Sequence, residues 1–398
     1  MKFLIINQFC APDPAPTGQL LADLARALAA RGHSVTVLCA RAAYAAADAP
    51  ADLPAGITVR RLWGLPFARS AAARLLSYGS FYLGALFRSL FGARPDVVVT
   101  LTTPPLLSLV GTLAKQFRGS RHFIWEMDVY PDIAVALGVF RPHSLLTRVS
   151  GGLADWSRRR ADGIIALGEC MRDRLLARGI PPERIHVAEN WADGDLIRPQ
   201  PRPAAGPLTI LYSGNLGLAH DTGTLAAALA ALGADARFRF VFAGGGPRRP
   251  WLEEFCAARN LANVAFLPYQ PARRMSAHLG ACDVGLVTQN PATLGCVVPS
   301  KTYPLMAAGR PVLFVGPRRA TPALLVERFR CGWQIGPGDA VGLIALLELL
   351  AASPELVREA GARAREAFAA HYDRAPGVGR LCYILTAGPA ARELARKT

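Results

Sequence analysis

Short apolar runs alternate with helix-periodic segments along this chain, and the whole alternation occurs twice. Such a rhythm builds βαβ units, in which helices cover both faces of a parallel sheet. The strand candidates are residues 3–7, 35–40, 57–61, 96–101, 123–126, 163–168 and 185–189, then 208–213, 238–243, 263–267, 283–288 and 311–315. Between the two sets, residues 197–207 carry four prolines, which forbid a continuous helix or a central strand. The expected architecture is therefore α/β: two doubly wound, Rossmann-like parallel-sheet domains, 1–200 and 201–372, facing a central cleft. The tail from 353 to 385 reads as two helices broken near Ala375-Pro376-Gly377, and the last segment, 373–398, as a helix free to cross back to the first domain. A length of 398 residues agrees, since one core rarely supports more than roughly 300.

Several classes are excluded early. No uncharged apolar run approaches the roughly 20 residues that a bilayer requires. The N-terminal apolar run is short and is followed by Asp13 and prolines, so it reads as a buried first strand and not a secretory start. The eight cysteines are scattered, without C-x-x-C or zinc-type spacing, which fits reduced thiols in a cytoplasmic protein and no metal site. A net charge of +16 asks for an anionic partner: nucleic acid, a phosphorylated ligand or a membrane face. Charge alone does not choose among these.

Doubly wound sheets bind ligands beyond the carboxyl ends of their strands, so the residues that matter should follow strands. After the first strand, a Pro-rich loop leads to Gly18 at a helix start, either a close-approach point for an anion or a permissive cap. Glu126, Asp128 and Asp132 form the densest acidic cluster of the first half. Asp128 opens the loop and is the first candidate acid or base, a helix cap or arginine partner being the alternative. Asp193 and Asp195 make a D-x-D without further ligands to complete a metal shell. The second half opens with Ser213-Gly214-Asn215-Leu-Gly217 and His220 before a helix, which fits an anion cradle with an imidazolium on a phosphate. Gly244, Gly245 and Gly246 follow the next strand, and Tyr269 follows the third, offering a ring to a flat base. Ser300 and Lys301 precede a short helix. Lys301 is one of only four lysines, and a lysine at a helix N-terminus invites an anion.

These segments, with Pro299-Ser-Lys-x-Tyr303-x-x-Met-Ala-Ala-Gly309-Arg-Pro-Val and Asn190-x-x-Asp193, resemble glycosyltransferase family 4 over nearly the whole chain. The pattern is most similar to transferases of O-antigen, capsule and colanic-acid pathways, including those of L-fucosamine. The resemblance implies a GT-B fold and a retaining hexosyltransferase. It would move a sugar, an N-acetylated deoxyhexose, from a nucleoside diphosphate, UDP-linked, to a polyprenyl-diphosphate-linked glycan. It further implies no cofactor, no obligatory metal and no nucleic acid. In the family, an Arg and a Lys after the first strand of the second domain hold the diphosphate; here those positions carry Asn215 and His220. Two glutamates eight apart normally grip the donor; here they are Cys296 and Pro304. Asp128, His220 and Lys301 then become the catalytic candidates. Gly18, Gly214, Asn215, Gly245, Gly246, Tyr269, Ser300, Lys301 and Tyr303 become the donor-binding ones.

Residues 67–91 are apolar and aromatic with Arg69, Arg74 and Arg88 alongside, suiting either an interfacial helix on an anionic cytoplasmic leaflet or a helix packed on the sheet. Other readings stay open: a nucleotide-sugar 2-epimerase of the same architecture, or a non-catalytic sugar-nucleotide binder. An NAD-dependent oxidoreductase ranks last, because neither half carries G-x-G-x-x-G.

Overall fold

The computed structural model describes residues 1–11, 15–41, 56–62, 71–201 and 206–388, the side chains of 71–75 excepted. Two compact units emerge, Met1–Glu189 with Gly377–Thr398, and Asn190–Pro376. The first holds a parallel sheet of β1 (Lys2–Ile6), β2 (Ser34–Ala40), β3 (Ile57–Leu62), β4 (Val97–Thr100), β5 (Arg121–Glu126), β6 (Gly163–Ala166) and β7 (Ile185–Val187), in the order β3-β2-β1-β4-β5-β6-β7. The second holds β8 (Leu208–Ser213), β9 (Phe238–Ala243), β10 (Val264–Leu267), β11 (Val284–Thr288), β12 (Val312–Val315) and β13 (Gly332–Ile335), in the order β10-β9-β8-β11-β12-β13. Both orders reverse once, between β1 and β4 and between β8 and β11, and a ligand crevice belongs beyond these reversals. Strands such as Val97–Thr100 and Val312–Val315 are buried at every residue, which is why they read as unbroken apolar runs.

Three expectations need correction. Strand β13 escaped the sequence reading because Gly-Trp-Gln-Ile is a half-buried edge without an apolar run. The boundary falls after Glu189, ahead of position 200, and the chain rejoins the first unit at Gly377, later than 373. The shift follows from bonding: Asp373 Oδ1 accepts from Gly194 N at 3.0 Å, and Arg310 donates to Gln200 O at 2.9 Å, tying residues 190–200 to the second unit. Finally, the tail does form two helices, but they part at Asp373, two residues ahead of Ala375. After helices Ala340–Ala352 and Pro354–Ala367 and a wide turn at Phe368–Tyr372, Pro376 sits in the first turn of helix Arg374–Thr386, where no N–H is missed.

Helix Ala71–Phe91 covers most of residues 67–91 and has one buried and one exposed face. Its Ser77, Phe81, Ala85 and Ser89 are buried, while Leu76, Leu83, Phe87 and Phe91 are exposed. It packs on helix Ser108–Arg118, which packs on helix Leu145–Arg160, and there Leu145, Leu146 and Val149 are exposed too. Arg69 and the Arg74 side chain lie outside the described residues.

Candidate functional site

The densest polar arrangement of the second unit gathers at its switch point. Lys301 Nζ donates to Tyr212 Oη at 2.5 Å, to Asn215 O at 3.0 Å and to His220 Nε2 at 3.2 Å. Tyr212 in turn donates its hydroxyl proton to Asn215 O at 2.6 Å. His220 Nδ1 lies 2.8 Å from Thr288 O, and a carbonyl only accepts, so Nδ1 carries the proton and Nε2 offers its lone pair to the lysine. The ammonium thus has three acceptors for its three protons. Burial alone pulls Lys301 down to about 7, so the group changes charge near neutrality.

The glycine turns after β8 and β9 close over this lysine by packing on each other. Leu216 N donates to Gly245 O at 2.7 Å, stitching the two loops together. Gly214 has φ +127°, and a Cβ there would meet Lys301 Cε at 2.6 Å. Gly246 has φ +119°, and its Cβ would come 2.5 Å from Leu216 O. A side chain at either point would displace the lysine or part the loops. Gly245 lies against the ring of Tyr269, which is 61% exposed and open to a stacking partner.

Several sequence expectations change here. The imidazolium expected at His220 is not what the fold holds. Burial, and then the Lys301 charge, push its pKa down to about 3, so it is a neutral acceptor that orients the lysine. The start of helix Gly223–Leu232 is not an empty anion cradle, since Asp221 Oδ1 accepts from Gly223 N at 3.0 Å and Thr224 N at 3.1 Å. Helix Thr302–Ala307 has only six residues, so it adds little dipole to Lys301, which is placed by its side-chain partners. Ser300 is half-buried beside it. Tyr303 is fully buried with its ring 5.2 Å from that of Tyr372, so it packs in the core. Asn215 serves through its main-chain carbonyl. Tyr212 and Thr288 complete the cradle yet gave no signal in sequence, because both lie in strands that read as core.

In the first unit, helix Pro16–Ala30 begins two residues before Gly18, which is buried. A Cβ there would lie 3.2 Å from Cys10 N, so this glycine lets the loop after β1 cross the helix. Asp128 is half-buried, and its N donates to Thr102 Oγ1 at 3.2 Å. Burial, and then the Glu126 carboxylate, push its pKa up to about 6, where it can hold or release a proton near neutrality. Its acidic neighbours are already committed. Glu126 pairs with Arg158 at 2.5 Å, and Asp132 pairs with Arg174 at 3.2 Å and Arg178 at 2.9 Å. Asp155 joins Arg158 and Arg178. Asp128 is the acid of this cluster left without an ion pair among the described residues. The D-x-D pair is clamped by Arg374, at 2.9 Å to Asp195.

Two doubly wound units of this strand order, the second with a half-buried cation at its switch point, make a GT-B fold. Residues 17–191 match the model of the glycosyl transferase 4-like domain, and residues 207–352 match that of the glycosyl transferases group 1. The chain belongs to this family, glycosyltransferase family 4, and is a transferase. It is 28% identical to WbjE of Pseudomonas aeruginosa, named as a probable glycosyltransferase, over 71% of this chain and 74% of that one. It is 26% identical to WcaI of Escherichia coli K12, named for glycosyl transfer in colanic acid biosynthesis, over 78% of this chain and 82% of the other. Among solved structures, Anabaena HepE in complex with UDP superimposes with a TM-score of 0.71 at 15% identity, over 97% of this chain and all of HepE.

Proposed function

We propose that this transferase moves a sugar from a UDP-linked donor to a lipid-linked glycan during assembly of a surface polysaccharide. The observation that carries the reading is Lys301, a half-buried ammonium wrapped by glycine turns at the second sheet's switch point. A diphosphate leaving group gathers negative charge in the transition state, and a fixed cation in a water-poor site stabilises that charge more than it stabilises the ground state. HepE, of the same fold, is solved in complex with UDP, and WcaI is named for colanic acid biosynthesis. In this reading Lys301 meets the diphosphate charge without an obligatory metal, Tyr269 stacks on the base, and Asp128 is the candidate acid or base of the first unit. Transfer with retention is what the resemblance implies.

The donor sugar proposed is the N-acetylated deoxyhexose that the resemblance implies, and the two replaced glutamates support it. Cys296 is fully buried and Pro304 has no side-chain acceptor, so neither can take hydroxyl protons as a carboxylate does. An N-acetylated deoxyhexose, with fewer hydroxyls to satisfy, fits such a site. Thermal denaturation with UDP-, GDP-, ADP- and dTDP-linked sugars tests this, because a ligand bound only by the native state raises Tm. A rise of several degrees confined to UDP-linked N-acetylated deoxy sugars is expected; a response confined to another nucleotide overturns the UDP assignment.

The acceptor side rests on the exposed apolar stripe. Leu83, Phe87 and Phe91 recur at helical spacing and are 71%, 60% and 72% exposed, with Arg88 on the same helix. Among the described residues no single helix is long and apolar enough to cross a membrane. This face instead suits an interfacial helix resting on the anionic cytoplasmic leaflet, where a polyprenyl-diphosphate acceptor resides. Flotation with phosphatidylglycerol vesicles should recover the protein at low salt and lose most of it when Phe87 and Phe91 become serine. Equal recovery of variant and parent would remove the helix from the membrane contact.

A further inference from the structure

A groove of about 480 Å³ runs along the edge strand β13, between helices Thr321–Phe329 and Pro354–Ala367. Its floor is apolar, made by Ala323, Val326, Leu356 and Ala360. Its rim carries three guanidiniums, Arg318, Arg330 and Arg363, against one carboxylate, Glu327. Arg363 is partly committed, donating from Nε to Arg330 O at 2.7 Å and lying 3.5 Å from Glu359. Arg318 and Arg330 are exposed and form no ion pair among the described residues. The lining shares no residue with the Lys301 cradle.

The volume lies within the range of small-molecule sites, roughly 300–1,000 Å³. An apolar floor under a rim with surplus positive charge selects for an amphiphile, and guanidinium binds phosphate oxygens in a paired, planar fashion that ammonium cannot match. The edge position adds main-chain groups. Cys331 and Ile335 accept from Val312 and Gly316 of the β12 side, so in a parallel ladder the groups of Gln334 turn outward toward the groove.

We infer that this groove is a second ligand site of the chain, separate from the donor cradle. It takes a phosphomonoester attached to an apolar body, the phosphate lying between Arg318 and Arg330 and the body over Ala323, Val326 and Leu356. Titration calorimetry of the full chain with octyl phosphate, kept below its micelle concentration, tests it, with inorganic phosphate and UDP as the comparison arms. Saturable one-to-one binding of octyl phosphate is expected, at least tenfold tighter than inorganic phosphate and unchanged by saturating UDP. Arg318→Glu should weaken it about fivefold. Adding Arg330→Asn, a residue that tolerates the left-handed backbone at φ +48°, should bring the loss to tenfold or more with Tm unchanged. Equal affinity for inorganic phosphate overturns the amphiphile assignment, and displacement by UDP places the probe in the donor cradle. Absence of saturable binding, or undiminished binding by folded Arg318→Glu, removes the site.

Discussion

Lys301→Ala lowers kcat/KM for sugar transfer by about 10²- to 10³-fold, the usual cost of deleting one preorganised donor to a developing anion. The variant remains folded, since Tyr212 Oη still donates to Asn215 O and His220 Nδ1 still donates to Thr288 O. A pH signature separates this from a general loss of packing. Burial holds Lys301 at about 7 in the free protein, and a bound diphosphate favours the charged form. Binding therefore takes up a proton above pH 7, and UDP affinity should fall by up to about tenfold per pH unit from there upward until the pKa of the bound state is reached. Calorimetry at pH 7, 8 and 9 measures that slope. It should vanish in Lys301→Ala; an alanine variant that keeps both the slope and full turnover removes the lysine from the site.

Arg158→Leu should be the most damaging single change to stability. It strands the Glu126 carboxylate, 2% exposed, without its cation, and breaking one side of a buried pair costs roughly 3–5 kcal/mol. For a unit of this size that is a fall in Tm of about 10 °C. The Glu126→Leu, Arg158→Leu double variant should recover much of the loss, since the stranded charge is gone. Calorimetric unfolding of the three proteins decides it, and a single variant within 1 kcal/mol of the parent would show that water reaches Glu126.

The sequence made the sheets legible because strands buried on both faces are written as runs such as Val97–Thr100, and a parallel sheet has few alternatives for such runs. It hid β13 because an edge strand needs no such run. Lys301 was legible through its rarity and its Pro-Ser-Lys setting, but its partners were not. Asn215 acts through a carbonyl that every residue owns, and Tyr212 sits in a strand where an aromatic residue reads as core. His220 was found with the wrong charge, because a sequence shows an imidazole but not the burial and the neighbouring ammonium that discharge it. The pairing of Glu126 with Arg158 spans 32 residues and comes only from the fold bringing helix Leu145–Arg160 to the end of β5.

The return of the chain from Gly377 onward sets an order of assembly. Arg121 donates to Leu385 O, Arg31 reaches Cys382, and Leu381 and Leu385 are fully buried within the first unit. That unit is begun first on the ribosome, but its last helix emerges only after the entire second unit has been made. The second unit, continuous from Asn190 to Pro376, can fold as soon as it is released from the tunnel. The half of the molecule translated first is thus the half finished last, and during synthesis the groove that will receive residues 377–388 stays open.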